Sequence, residues 1–132
     1  MAEIEARKAA ALRTARLDAV FSALADPTRR AIIERLSRGE ARVTEVAEPF
    51  AMSLNAVSKH IHVLEASGLL DRRRKGRDHI LTINASSLDE VDGWIEQTRR
   101  YWEVRLDAME RVLLELETER KSALKDRKHG SR

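Results

Sequence analysis

Between Met52 and Leu70 the chain reads MSLNAVSKHIHVLEASGLL. Ser53, Asn55, Ser58, Lys59, His60 and His62 load one short stretch with hydrogen-bonding side chains, while Leu54, Val57, Ile61 and Leu64 recur every three or four residues. Hydroxyl and amide groups both donate and accept, and an ammonium only donates. Such a surface suits a partner that offers acceptors and negative charge. Arg72, Arg73, Arg74, Lys75 and Arg77 add five basic residues in six, which again points to an anionic partner. No Gly-rich phosphate loop, H-E-x-x-H or G-x-S-x-G motif is present, and no acid–base pair is suggested. The chemistry is therefore read as binding rather than catalysis, with no cofactor.

The rest of the chain must position these groups. Its 132 residues amount to about one domain with a modest core, too little for a large substrate-enclosing enzyme. Net charge is +3 and the pI is about 9.6, a mean that hides the basic cluster. Without cysteine there is neither a disulfide framework nor a thiolate metal site. No apolar run approaches the roughly 18 residues of a membrane span. The start of the chain, with Glu3, Glu5, Arg7 and Lys8, lacks a signal-peptide core. A soluble, cytoplasmic protein with no membrane partner is expected.

Leu17, Val20, Phe21 and Leu24 recur at helical spacing in a first helix over about residues 4–24. Asp26 as N-cap and Pro27 at the first position open a second helix, which runs to about Arg38 before Gly39. Thr44 is read as the cap of a third, short helix to about Phe50, kinked or brief because Pro49 lacks an N–H. Ala51 to Ser53 turn the chain, Ser53 caps the next helix, and Gly68 ends it through a left-handed residue. Two extended runs meet around Lys75 to Asp78 at Gly76, with Leu70, Ile80 and Ile83 inward. From a cap at Ser86 or Ser87, Leu88, Val91, Ile95, Trp102, Leu106, Met109, Leu113 and Leu116 mark one long helix. The chain from Lys121 reads as a frayed basic tail, so a single domain over residues 1–121 and a flexible tail over 122–132 are expected.

A short helix, a tight turn and a second helix form a helix-turn-helix, which offers one side of its second helix to a DNA major groove. At about 100° per residue, Leu54, Val57, Ile61 and Leu64 form an inward stripe, with Asn55, Lys59 and His62 opposite and Ser58 and His60 on the flanks. Ser53, Asn55, Ala56, Ser58, Lys59, His60 and His62 are thus the candidates for bases or phosphates. Arg72, Arg73, Arg74, Lys75 and Arg77 would reach the flanking backbone or the minor groove. His60 has an equal claim to a structural hydrogen-bonding role beside the core. A solvated hairpin is the plainer account of the arginines, and Trp94, Tyr101 and Trp102 read as core or interface before ligand box.

The segments FSALADPTRRAIIERL, VTEVAEPFAMSLNAVSKHIHVLEASGLLDRRRKGRDHILTI and WIEQTRRYWEVRLDAMERVL resemble the ArsR family of bacterial transcriptional repressors, over about three quarters of the chain. That resemblance implies a mainly α fold with a small β-hairpin wing, a winged helix-turn-helix that dimerises through its first and last helices. It also implies a homodimeric repressor on double-stranded DNA. Leu17, Val20, Trp94, Ile95, Trp102, Leu106, Met109 and Leu113 would form the interface. Independently, the last helix is long for one small core, and its apolar seam needs a second partner. Sensing members of the family carry cysteines near the third helix or Asp and His pairs on the last. Here Asp89, Asp92, Glu96 and Glu103 stand without imidazole or thiolate, so no metal site is assigned. The alternatives are a small-molecule-responsive sensor of the same fold and a coiled-coil adaptor that binds no DNA; the adaptor would leave the turn and wing without a purpose.

Overall fold

The computed structural model describes residues 1–130. Its order is α1 (Ala2–Leu24), α2 (Pro27–Ser37), β1 (Ala41–Arg42), α3 (Val43–Ala47), α4 (Leu54–Ala66), β2 (Leu70–Lys75), β3 (Asp78–Ile83) and α5 (Ala85–Gly130). The sequence ADPTRR makes the α1–α2 corner. The Asp26 carboxylate accepts from the Arg29 backbone N–H at 3.0 Å, which satisfies a free donor at the start of α2. Arg29 donates back to the carbonyls of Ala23 and Ser22, and Arg30 to that of Leu24, which satisfies acceptors at the end of α1.

The short helix begins one residue before the expected cap. Arg42 is its N-cap, and the Arg42 backbone N–H donates to Glu45 rather than Thr44 supplying a hydroxyl. The helix stops at Ala47, so Pro49 lies beyond it and breaks no helical hydrogen bond. In α4 the Ser53 hydroxyl accepts from the Ala56 N–H at 3.1 Å. The far end closes with paired bonds, Leu69 N–H to the Leu64 carbonyl and Gly68 N–H to that of Glu65, a Schellman corner. Gly68 sits at φ 85°, and a Cβ there would lie 3.2 Å from the Ser87 hydroxyl, which itself donates to the Gly68 carbonyl. The left-handed backbone favours glycine, and a side chain there would also press on the Ser87 hydroxyl.

The hairpin turns at Gly76 and Arg77, with φ 64° at the glycine alone, the requirement of a type II′ turn. Two features were not foreseen. Ala41 and Arg42 form a third strand, in the order β1-β3-β2, pairing with Leu81 and Ile80. Leu81 is the fully buried residue of β3, because it shares a sheet face with Leu70 and Ile83 by register, and Ile80, on the other face, is buried too. The core gathers Ile32, Val46, Val57, Ile61, Leu64, Leu69 and Leu81, each stabilising the fold by roughly 1.5–3 kcal/mol through burial. Leu54, expected to open the inward stripe, is 53% exposed and lies outside this cluster. At the first position of α4 it precedes the turn on which the core closes.

α5 departs most from expectation. Asn84 caps its start, accepting from the Ser86 N–H, in place of Ser86 or Ser87. The helix continues through Gly130, about 69 Å at 1.5 Å per residue, so residues 122–130 are helical rather than a flexible tail; Ser131 and Arg132 lie outside the described residues. No proline interrupts this stretch, Ala123, Leu124, Lys125, Arg127 and Lys128 are good helix formers, and the cations complement the helix dipole near the C-terminus. Contacts divide the chain into a unit over Met1–Asp92 and a second from Gly93 onward. The physical reason is that Val91 is the last buried residue of α5 among those described. No helix in the described residues is long and apolar enough to cross a membrane.

Candidate nucleic-acid interface

Val57, Ile61 and Leu64 anchor one side of α4 with no exposed surface. The helical period then places Asn55, Lys59 and His62 on the exposed side, and Ser58 half-buried at its edge. Ala56 is also half-buried, and the Ser53 hydroxyl is engaged as the cap. His60 departs from this surface. Its side chain is 21% exposed, with Nδ1 3.8 Å from the Asp26 carboxylate and 3.4 Å from the Arg29 guanidinium. Of its two readings, the structural one matches this position: it joins α4 to the α1–α2 corner. The Asp26 carboxyl is held below its ordinary pKa, chiefly by the Arg29 backbone N–H, against partial desolvation; the charges of His60 and Arg29 and the Thr28 N–H add to the lowering.

The basic run is not uniform. Arg72 pairs with Glu65 of α4, Nε to carboxylate at 3.0 Å, and Arg73 forms a fork onto Glu40 at 2.8 and 2.9 Å. Arg74 folds onto the Gly76 carbonyl. Among the described residues Lys75 and Arg77 have no carboxylate partner, and they stand at the hairpin tip. Arg42 reaches Asp78 at 3.4 Å and Glu45 at 3.6 Å. Three carboxylates therefore brace the hairpin against β1 and α4, and positive charge is left at its end. Pairing needs side chains distant in sequence, and Glu40 and Glu65 carry no local signal of that role.

A cleft of about 280 Å3 runs between the start of α3, the start of α4 and the hairpin. Thr44, Leu54, Ser58, Arg72, Arg77 and His79 are among its walls. With Arg42, Val43 and Asp78 completing its walls, it offers two hydroxyls, three cations and one carboxylate beside two aliphatic side chains. Thr44, Leu54 and His79 were not among the expected contacts. A hydroxyl at the start of the first helix of a helix-turn-helix was a usable signal for Thr44; the period of α4 argued against Leu54.

Of the residues expected between two copies, Val20 is only 2% exposed and belongs to the core of its own chain, and Leu17 is half-buried against that core. Val20 is thus corrected from interface to core, because α1 needs its inward residues to close over α2. Trp94, Ile95, Trp102, Leu106, Met109 and Leu113 are exposed. On the second unit, Tyr101 and Trp102 meet edge to face at 6.1 Å, and Arg105 lies over the Tyr101 ring at 5.4 Å.

Residues 24–73 match the family described as a helix-turn-helix domain. The chain is 32% identical over 76 residues to the transcriptional repressor SdpR of Bacillus subtilis, covering 58% of this chain and 84% of that protein. Among solved structures, the ArsR family transcriptional regulator RHA00566 is 43% identical with a TM-score of 0.65, over 68% of this chain and 93% of that one. The homodimeric winged helix-turn-helix DNA-binding domain Mb0332 from Mycobacterium bovis is 28% identical with a TM-score of 0.54, over 72% of this chain and 88% of that one.

Proposed function

The chain belongs to the ArsR family of winged helix-turn-helix transcriptional regulators, and from that premise we propose that it is a cytoplasmic homodimeric repressor of an inverted-repeat operator. The single observation that carries the DNA reading is the division of α4. Val57, Ile61 and Leu64 are consumed by the core, and the opposite side presents Asn55, Lys59 and His62 with Ser58 at the edge. With the start of α4 in the major groove, Asn55 meets base edges and Lys59 adds attraction to phosphate. The sugar-phosphate strand bordering that groove then runs along the cleft, where Thr44 and Ser58 donate hydroxyls and Arg77 supplies charge. Lys75 and Arg77 reach the flanking backbone or minor groove. No step of covalent chemistry is involved.

Dimerisation is supported by the exposed seam Trp102, Leu106, Met109 and Leu113, with Leu116 extending it, a stripe too large and continuous for an ordinary surface. That Mb0332 is homodimeric supports a pairing of two copies, and SdpR supports the repressor role. Two-fold symmetry carried to DNA gives half-sites about 34 Å apart, one helical turn. Sedimentation is expected to show a dimer at micromolar concentration, and footprinting of sequences enriched by the full chain to show two inverted half-sites. Equal affinity for enriched and random duplexes would overturn the sequence-specific reading, and a monomer bound to one half-site would overturn the dimeric one.

A further inference from the structure

We propose that Leu54 reads the 5-methyl group of a thymine in the operator, an assignment that rests on the DNA reading above and adds a base preference to it. A lone exposed leucine is ordinary on a protein surface; the position of this one is not. It is the first residue of α4, 53% exposed and outside the core cluster. It lines the cleft beside Ser58, Thr44 and Arg77, the polar groups a bordering DNA strand would touch. Leu54 and Ser58 are four residues apart and so share one side of the helix, and Asn55 follows directly. Recognition helices contact bases with their N-terminal residues, which puts Leu54 among the base readers by position.

The chemistry then narrows the target. The thymine methyl is the only alkyl group on the edges of the major groove; cytosine offers a bare C5–H with far less apolar surface, and the remaining features are donors or acceptors. A branched aliphatic side chain there makes its largest apolar contact with that methyl, and facing a purine edge it would mostly remove water from polar atoms. Val63, another exposed apolar residue of α4, lies nine residues further on, about 13 Å along the axis, away from the entering end.

The test starts from an operator enriched from random duplexes by the full-length chain. Each thymine is replaced in turn by deoxyuridine, which removes the methyl group alone, and affinity is titrated for the wild type, Leu54→Ala and Leu54→Gln. One thymine in each half-site is expected to weaken wild-type binding about fourfold when replaced, the effect of one methyl-sized burial, and about 15-fold when both are replaced. Neither variant should lose further affinity at that position. Both should keep the wild-type salt slope on random DNA, since the leucine carries no charge and releases no counterion. Wild-type indifference to every deoxyuridine, or variants that keep the full sensitivity, would overturn the Leu54 assignment while leaving sequence-specific binding intact. Failure to enrich any sequence would instead overturn the DNA reading itself, and this assignment with it.

Discussion

Arg73 and Arg77 lie in the same basic run, and the structure expects opposite consequences from removing them. Arg73 is held by both oxygens of Glu40 at 2.8 and 2.9 Å, so in the free protein its charge is already matched. Arg77 has no carboxylate pair among the described residues and lines the cleft. A cation that neutralises one phosphate steepens the dependence of log K on log salt by about 0.9, and a dimer carries two copies, about 1.8 in all. Between 50 and 200 mM salt, a fourfold change, that slope amounts to about a 12-fold loss of affinity. Arg77→Ala should therefore bind both operator and random DNA more weakly at low salt, and its deficit should shrink about 12-fold across that range. Arg73→Ala should leave the slope close to the wild-type value and change stability by only about 0–1 kcal/mol, as expected for an exposed ion pair. Fluorescence anisotropy titrations of both duplexes at four or more salt concentrations would measure this. Equal slope changes for the two variants would refute the argument, since the Glu40 pairing would then not decide which arginine meets DNA. An Arg77→Ala variant that lost only operator affinity at unchanged slope would show that Arg77 reads sequence or groove shape.

Asn55→Ala is expected to cost on the order of 1–3 kcal/mol at the operator and almost nothing on random DNA if Asn55 makes a direct base contact; competition titration of the two duplexes checks it. Met109→Glu combined with Leu113→Glu places four carboxylates in the proposed seam of the dimer, and analytical ultracentrifugation should shift to monomer with the melting temperature of the Met1–Asp92 core little changed. An undisturbed dimer would place the interface elsewhere. Asp26 has a lowered pKa in the folded chain, so its contribution to stability is fully present above its unfolded value near 3.8 and is lost as pH falls through the lower folded value. Asp26→Asn keeps a capping side chain but carries no charge, so its stability should fall less steeply below pH 4 than the wild type's; parallel acid unfolding curves would contradict the role assigned to the carboxylate.

Local signals made most of the order of elements legible. Asp26–Pro27 starts α2, Ser53 starts α4 and Gly68 ends it, because caps and left-handed residues act within a few residues of chain and need no tertiary partner. The period of Val57, Ile61 and Leu64 likewise identified the inward side of α4 and, by exclusion, Asn55, Lys59 and His62 on the other. Other assignments depended on residues far apart in sequence. β1 is two residues long and exists only because β3 offers an edge to it. Val20 could be placed in the core only once α1 lay over α2, and Leu54 outside it only once the core was seen to close at Val57. The division of the wing arginines followed from Glu40 and Glu65, which lie 33 and 7 residues from their partners. Composition and periodicity determined which residues could bind an anion; only the fold decided which of those cations its own carboxylates had already taken, because pairing depends on distances of 3 to 4 Å that no one-dimensional pattern specifies.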